Sequence, residues 1–250
     1  MSDHSNGQRV AIVTGGARGI GAAITTALAR SGVHVAAGYS SNAQAADELA
    51  GKLGAGGASV SVHQGNVGEA ADCNRVVHEV LEQRGRVDYL INNAGITVDK
   101  TMRKMTIEDW HAVLRINLSG AFYMIKAVLD HMLERKFGRI VNISSVIGQT
   151  GSVGQANYAA SKSGLFGLSQ SLAQEVARKG ITVNCVAPGY IETEMVAAIP
   201  EDVLKKLLTG VPVGRLGQAS EIARTVQFLV DDDAGYITGS VISVNGGLDM

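Results

Sequence analysis

Three polar side chains in the second half of the chain have the types and the spacing for proton transfer. Tyr158 and Lys162 are four residues apart, which places them on one face of a predicted helix, and Ser145 precedes them. A free tyrosine has a pKa of about 10, and a neighbouring lysine cation is expected to lower that pKa by stabilising the phenolate. Tyr158 would then protonate a carbonyl oxygen while hydride reaches the carbon, and Ser145 would donate a hydrogen bond to that oxygen.

A glycine-rich turn near the N-terminus has the pattern of a site for the hydride donor. Thr14–Gly21 follows a predicted strand and opens a helix, and its glycines include Gly15, Gly19 and Gly21. Glycines let the backbone approach a pyrophosphate closely, and the free N–H groups of a helix that starts at Ile20 can bind it. Taken alone, the segment is also consistent with an ordinary strand-to-helix turn. Its strand, loop and helix context predicts a dinucleotide site.

The end of the second predicted strand favours NADPH over NADH. An NAD site usually has a carboxylate there, which accepts hydrogen bonds from the ribose and would repel a 2′-phosphate. Here the strand ends with Tyr39 and Ser40, and no acidic residue follows before Asp47. Arg18 in the glycine-rich turn supplies a positive charge for the phosphate. The alternative is that Arg18 is only a surface arginine and that Ser40 belongs to a simple turn.

Short polar segments follow the third and fourth predicted strands. Asn66 and Val67 can bracket an adenine ring, while Asn93, Ala94 and Gly95 place small residues and an amide beside the cofactor. Each segment on its own is also compatible with a plain loop. Because ligands of parallel sheets bind at the carboxyl ends of the strands, their placement predicts one shared site.

The elements that must position these residues alternate between strand and helix. The predicted strands are Val10–Thr14, Val33–Gly38, Ser59–Gln64, Val87–Asn92, Gly138–Ser144, Thr182–Ala187 and Ser240–Val244. The predicted helices are Ile20–Ser31, Ala43–Leu53, Ala70–Arg84, Thr106–Lys136 with a break near Asn117, Tyr158–Lys179, Pro200–Leu208 and Glu221–Leu229. Strict alternation implies an α/β fold: one doubly wound Rossmann domain over residues 9–250 with a parallel, seven-stranded sheet, after a disordered tail over residues 1–8.

Composition argues against several classes of function. The formal net charge is −1, so no basic field exists to attract nucleic acid or an anionic membrane. The N-terminus lacks an apolar signal core, and no apolar run reaches the roughly 18 residues that read as a membrane span. Cys73 and Cys185 form no metal-ligand pattern, so we expect no metal and two buried thiols in a reducing cytoplasm.

Together, these motifs resemble the classical short-chain dehydrogenase/reductase family. The matching segments are Thr14–Gly21, Asn92–Gly95, Asn117, Ser145, Tyr158, Lys162 and Pro188-Gly189. The resemblance implies that Tyr158 is the acid/base, that Lys162 also binds the nicotinamide ribose, and that Asn117 holds a water that relays protons. It also implies a set of residues lining the nicotinamide: Pro188, Gly189, Ile191 and Thr193. The family usually has Asp-Val where this chain has Asn66-Val67, and an asparagine carbonyl can still meet the adenine amino group.

Within the family, the closer resemblance is to bacterial reductases of β-ketoacyl thioesters, carried either by coenzyme A or by an acyl carrier protein. In the acetoacetyl-CoA group, a tyrosine and two glutamines lie near the acyl group. Tyr190 and Gln155 occupy two of these positions here, whereas Ser152 replaces the second glutamine. Gln155 is equally interpretable as an amide that stabilises its loop. The Ser152 substitution leaves open a reductase of another small ketone, a sugar or a steroid.

The resemblance also bears on substrate access and assembly. The segment Thr193–Leu208 is expected to form a lid, with Met195, Val196 and Ile199 suited to an acyl chain. Its Lys205 and Lys206 either meet the substrate's phosphates or lie on a plain solvated helix face. Two long helices pack against symmetry mates in this family, which implies a homotetramer.

A protein that binds NADPH without catalysis is a second alternative. An intact set of Ser145, Tyr158 and Lys162 argues against it, because a sensor does not need these three residues.

Overall fold

The computed structural model describes residues 7–193 and 207–250. Its centre is a seven-stranded, fully parallel sheet with the order β3-β2-β1-β4-β5-β6-β9. The strands of this sheet are β1 (Val10–Val13), β2 (His34–Tyr39), β3 (Val60–Gln64), β4 (Tyr89–Asn92), β5 (Gly138–Ile143), β6 (Ile181–Pro188) and β9 (Val241–Val244). The doubly wound α/β fold predicted from the alternation of elements is therefore confirmed.

The central strands form because short runs of β-branched residues are buried on both faces. Every residue of β1, β4, β5 and β6 is buried. Such strands read as continuous apolar runs rather than alternating ones. Strand order reverses between β1 and β4, and the crevice that opens at this reversal is where parallel sheets hold their ligands.

Helices cover both faces of the sheet. The helices are α1 (Gly19–Arg30), α2 (Ala43–Ala55), α3 (Ala70–Arg84), α4 (Ile107–Leu114), α5 (Gly120–Arg135), α6 (Val146–Thr150), α7 (Ala156–Val176) and α8 (Ala219–Val230). The core residues Leu28, Leu53 and Ile222 place α1, α2 and α8 on one face. Val77 and Val176, together with the apolar face of α5, place α3, α5 and α7 on the other.

A single turn of π-helix, Arg115–Ser119, joins α4 to α5. The sequence predicted one long helix with a break near Asn117, and the structure places Asn117 inside this turn. A π-turn accommodates an extra residue without ending the helix and is frequent at functional sites. The irregularity therefore points the Asn117 side chain inward, where it is 2 % exposed.

The combined stretch Ile107–Arg135 is long and apolar enough to span a bilayer by length and composition, since an 18-residue window within it has a mean hydropathy of 1.4. The sequence analysis found no such run because Arg115 and Lys126 interrupt the apolar residues. In the structure, Met124 and Val128 are buried against the sheet. This packing is that of a core helix.

Three short elements of the structure were not predicted from the sequence. The five-residue helix α6 and a small parallel pair, β7 (Ile191–Glu192) with β8 (Gly217–Gln218), lie between predicted elements. Most of the predicted helix Pro200–Leu208 and all but the end of the predicted tail over residues 1–8 lie outside the described residues.

Candidate active site

One cavity of about 840 Å³ lies at the carboxyl ends of the strands, where the strand order reverses. All site residues predicted from the sequence line it, except Gly21 and Asn117. These two lie directly behind its wall, Gly21 against the glycine-rich turn and Asn117 against the loop that follows β4. The structure thus brings together segments that are far apart in the chain.

The glycine-rich turn can only be built with glycine at key positions. Gly15 and Gly19 have φ values of 60° and 52°, in the left-handed region that favours glycine. A β-carbon on Gly21 would collide with the carbonyl group of Gly15. The turn is closed by Asn93, whose amide donates to the carbonyls of Thr14 (3.0 Å) and Gly15 (3.1 Å). The first turn of α1 therefore opens on the cavity with room for a phosphate group.

At the adenosine end of the cavity, the predicted residues are present but partly engaged. The Asn66 side-chain carbonyl accepts a hydrogen bond from the Gly68 N–H at 3.0 Å. The backbone N–H of Asn66 donates to the Asp72 carboxylate at 2.8 Å. The Asn66 carbonyl therefore meets an adenine amino group only through its second lone pair. Arg18 lines the cavity and is exposed to solvent.

Ser145 and Tyr158 meet at the other end of the cavity. Ser145 caps the start of α6, where its hydroxyl accepts from the Ile147 N–H at 3.1 Å, and it is near enough to the Tyr158 hydroxyl to affect the pKa of that group. Tyr158 lies in the first turn of α7, which presents its phenol toward the end of β5. The predicted pairing of serine and tyrosine is therefore present in the geometry.

Burial controls the ionisation of Tyr158 and Lys162. Burial raises the pKa of Tyr158 above its ordinary value; the nearby Ser145 hydroxyl opposes this, and the charge of Asp99 adds to it. Burial also lowers the pKa of Lys162 to about 8. The sequence argument expected the lysine to lower the tyrosine pKa, and this is wrong for the cofactor-free chain. Desolvation outweighs a cation whose Nζ lies 5.7 Å from the ring centroid.

Lys162 and Asn117 form the floor of the site. The Lys162 ammonium donates to the Ile143 carbonyl at 2.8 Å, at the end of β5. The Asn117 amide donates to the Ile96 carbonyl (3.0 Å) and to Ser161 (3.1 Å), and its oxygen accepts from the Ile96 N–H (2.8 Å). A β-carbon on Gly95 would lie 3.3 Å from the Asn117 oxygen and 3.4 Å from Lys162 Nζ. Only glycine leaves this floor undisturbed.

The substrate side of the cavity contains a carboxylate that sequence reasoning missed. Asp99 lines the cavity and accepts a hydrogen bond from the Gln155 amide at 3.0 Å. Gln155, predicted to contact substrate, therefore also stabilises a loop, and Tyr190 lines the same cavity. Asn157, adjacent to Tyr158, was missed as well. The one signal in the sequence was an asparagine directly before Tyr158.

The segment after β6, which the family resemblance assigns to the nicotinamide, borders the same cavity. Pro188, Gly189 and Ile191 line the cavity, and so does Thr193, whose hydroxyl donates to the Ile191 carbonyl at 3.3 Å. The residues of the predicted lid, Met195, Val196, Ile199, Lys205 and Lys206, lie outside the described residues.

Comparison with known proteins gives a consistent result. A family model described as short chain dehydrogenase matches residues 9–204. The acetoacetyl-CoA reductase of Shinella zoogloeoides is 52 % identical, over 96 % of this chain and 98 % of the relative. The acetoacetyl-CoA reductase of Allochromatium vinosum is 48 % identical, over 97 % and 99 %. The 3-oxoacyl-[acyl-carrier-protein] reductase of Escherichia coli K12 is 46 % identical, over 97 % and 98 %.

Proposed function

This chain belongs to the short-chain dehydrogenase family, and on that premise we propose that it reduces a β-ketoacyl thioester to the 3-hydroxyacyl thioester. The thioester is acetoacetyl-CoA or a 3-oxoacyl carrier protein, the substrates named for its relatives. The observation that carries the proposal is that Ser145, Tyr158 and buried Lys162 line one cavity at the strand reversal.

The residues around the glycine-rich turn fit a nicotinamide dinucleotide. Gly15 and Gly19 adopt conformations that favour glycine, and a side chain on Gly21 would collide with the turn. The free N–H groups at the start of α1 suit a pyrophosphate. When bound, the cofactor supplies the hydride that adds to the carbonyl carbon of the substrate.

The chain's own residues supply the proton and hold the substrate. Ser145 donates a hydrogen bond to the substrate's carbonyl oxygen, and Tyr158 transfers its phenolic proton to that oxygen as negative charge develops. Lys162 would hold the nicotinamide ribose and stabilise the phenolate that remains. Both hydrogens of the Asn117 amide are used by Ile96 and Ser161, so this side chain can join a proton relay only as an acceptor.

We propose that NADPH is the preferred cofactor. The support is the absence of a carboxylate at the end of β2, where Tyr39 and Ser40 line the cavity, and the presence of Arg18 on its rim. We expect the ratio of kcat/KM for NADPH over NADH to exceed one and to fall in Arg18→Ala. A wild-type chain that prefers NADH would contradict this assignment.

The test of the proposed reaction is the loss of NADPH absorbance with acetoacetyl-CoA and a series of longer β-ketoacyl thioesters, with a sugar ketose and a simple ketone as comparisons. Tyr158→Phe should abolish turnover while retaining cofactor binding, because the ring is kept and the proton is removed. Tyr123→Phe on α5, outside the cavity, is the matched control. Turnover that persists in Tyr158→Phe, or activity with the ketones alone, would contradict the proposal.

The organisation of the protein is part of the same proposal. We propose one reductase domain over residues 9–250 that acts in the cytoplasm as a homotetramer. The exposed side chains of Ile107 and Phe122, 68 % and 48 % accessible, lie on the α4–α5 helices that the family resemblance assigns to an interface. Light scattering should give four times the mass of the chain, and Phe122→Ser should shift the protein toward smaller species.

A further inference from the structure

Asn157 is one of the most deeply buried polar residues of the chain. Its exposed fraction is 0 %, and it occupies the second position of α7, directly before Tyr158. It does not line the cavity. A fully buried amide is stable only when its donors and acceptors are paired, so its partners show what it holds.

The Asn157 side chain connects three separate parts of the chain. Its amide donates to the carbonyls of Val98 (3.1 Å) and Asp109 (3.4 Å), and its oxygen accepts from the Tyr158 N–H (2.7 Å). The first contact is in the loop after β4, the second is in α4, and the third is at the start of the helix that carries the phenol. The first N–H groups of a helix have no partner within it, so the last contact also satisfies Tyr158.

The loop held by Asn157 forms the substrate side of the cavity. Asp99 follows Val98 directly, and its carboxylate receives the Gln155 amide at 3.0 Å. The Lys100 N–H donates to the Gly154 carbonyl at 2.8 Å, so the loop is also tied to the segment before α7. The Gln155–Asp99 contact is solvent-exposed, whereas the Asn157 contact with Val98 is partly buried. Exposed polar contacts contribute little, so of these two side-chain contacts the one made by Asn157 holds the loop more firmly.

We infer that Asn157 is a positioning residue of the reaction, which fixes the loop around Val98 and Asp99 at a set distance from the Tyr158 phenol. This inference rests on the proposed function, because it assigns to that loop the wall against which the substrate carbonyl is placed. If Asn157 fixes this distance, then loosening the loop moves the Asp99 charge away from Tyr158, an effect that a purely structural role of Asn157 does not predict. Since that charge raises the pKa of Tyr158, its withdrawal lowers the pKa.

Two substitutions separate the two duties of Asn157. Asn157→Ser keeps a short side-chain oxygen that can accept from the Tyr158 N–H, as serines do at helix starts, but cannot reach the Val98 and Asp109 carbonyls. Asn157→Ala removes all three contacts. The matched control is Asn184→Ala, because Asn184 is 1 % exposed, donates to the Ile237 carbonyl at 2.8 Å and accepts from the Ser240 N–H at 3.0 Å. Asn184 does not line the cavity.

We expect both Asn157 variants to lose at least about 10-fold in kcat for the thioester, because small displacements of a reacting group are costly. The Kd for NADPH, measured by fluorescence, should stay within about two-fold. In reduction, activity falls as pH rises through the pKa of the phenol, so the alkaline limb of the kcat profile should move to lower pH. Asn184→Ala should lose a similar amount of thermal stability and keep its kcat.

The outcomes are distinct. If Asn157→Ser restores wild-type kcat, if the alkaline limb does not move, or if Asn184→Ala loses as much activity, Asn157 has only a structural role and the inference is wrong. If Asn157→Ala does not fold, Asn157→Ser carries the same test. A wild-type chain inactive on every thioester contradicts the proposed function, whereas an active wild type with an unimpaired Asn157→Ser contradicts this inference alone.

Discussion

Lys162 is a buried cation whose ammonium donates to one acceptor among the described residues, the Ile143 carbonyl, so one side chain affects both activity and stability. It is 4 % exposed, and its pKa falls to about 8 because burial disfavours the charged form. No carboxylate among the described residues pairs with it. A buried charge without a partner lowers the stability of the fold.

We therefore expect Lys162→Met to abolish turnover and yet to raise the unfolding free energy at pH 7 by about 1–3 kcal/mol. In the wild type, the unfolded chain binds a proton more tightly than the folded chain between pH 8 and the unfolded pKa of 10.5, so wild-type stability rises across this window. The advantage of Lys162→Met should shrink over the same range. Urea unfolding at several pH values measures it, with the exposed Lys52→Met as control; a destabilised Lys162→Met at pH 7 would contradict the argument.

Gly95 makes a second prediction at the residue scale. A β-carbon there would lie 3.3 Å from the Asn117 oxygen and 3.4 Å from Lys162 Nζ, so the Asn117 amide must move by a few tenths of an ångström. Gly95→Ala should lower kcat by about 10-fold or more, since it displaces the floor of the site. Gly51→Ala, in α2 with open space around it, should leave kcat unchanged and raise stability by about 0.5–1 kcal/mol. Steady-state kinetics and urea unfolding of both variants check the contrast, and equal kcat values would refute it.

At the scale of elements, the outer strands carry a polar ladder on the edge of the sheet away from the Ser145–Tyr158 pair. His34 on β2 is 1 % exposed and contacts Ser59 and Ser61 at 2.7 and 3.1 Å. Ser61 contacts His63, which in turn meets Glu79 on α3 at 3.0 Å. Burial lowers the pKa of His34 to about 4, and the positive charge of Arg84 contributes a smaller part.

This ladder predicts a loss of stability in mild acid. Between the unfolded pKa of 6.5 and the folded pKa of about 4, the unfolded chain binds a proton that folded His34 cannot, so stability falls as pH falls. The unfolding free energy of His34→Gln should therefore fall by roughly 1–2 kcal/mol less than that of the wild type between pH 7 and pH 5, after allowing for solvent screening. His78→Gln, on the exposed face of α3, is the control and should behave as the wild type. Identical pH dependence in wild type and His34→Gln would rule the ladder out.

The strands were predictable from sequence because most are short apolar runs bounded by turn residues, and this signal is complete within the run itself. The break near Asn117 was also predictable, but its π-helical form depends on partners in Ile96 and Ser161. The β7–β8 pair could not be predicted, since Ile191 and Gly217 meet only after the rest of the chain has folded.

The same distinction holds within the site. The residues that line the cavity follow strands, and the edge of a parallel sheet brings such residues together whatever the details of packing. The contacts of Asp99 with Gln155 and of Val98 with Asn157 join positions 56 and 59 residues apart. Local pattern holds no information on such pairs. The raised pKa of Tyr158 was missed for a related reason, because burial is a property of the folded chain.

On the scale of the whole molecule, a buried ion-pair cluster that stabilises the fold lies at the amino ends of the strands, and the candidate active site lies at their carboxyl ends. Asp88 directly precedes β4, at the amino end of that strand. Its carboxylate is 1 % exposed and contacts Arg9 at 3.3 Å and Arg86 at 2.6 Å. It also accepts from the Val10 N–H at 2.9 Å, which joins the starts of β1 and β4. The cavity lies at the other ends of these strands.

Asp88→Ala should therefore separate the two properties. Removing one partner of a buried ion pair leaves the other uncompensated, and we expect a loss of about 3–5 kcal/mol in unfolding free energy. Since the cavity is not touched, kcat and KM at a temperature where the variant is folded should stay within about two-fold of wild type. Urea unfolding and kinetics on one preparation measure both. A loss of kcat in the folded variant would show that the ion pairs of Asp88 also affect the active site, and would contradict this prediction.

The pairing of β7 with β8 has a consequence for how such a protein changes over generations. The chain leaves the β7–β8 pair after Glu192 and returns to it at Gly217, and the base of the intervening segment is closed by the hydrogen bond from the Gly217 N–H to the Tyr190 carbonyl at 2.9 Å. A segment closed at its base can lengthen cheaply, because each doubling costs only about 0.6 kcal/mol in closure entropy. Recombination can therefore exchange everything between Glu192 and Gly217 as one cassette, while descendants inherit the proton-transfer apparatus intact.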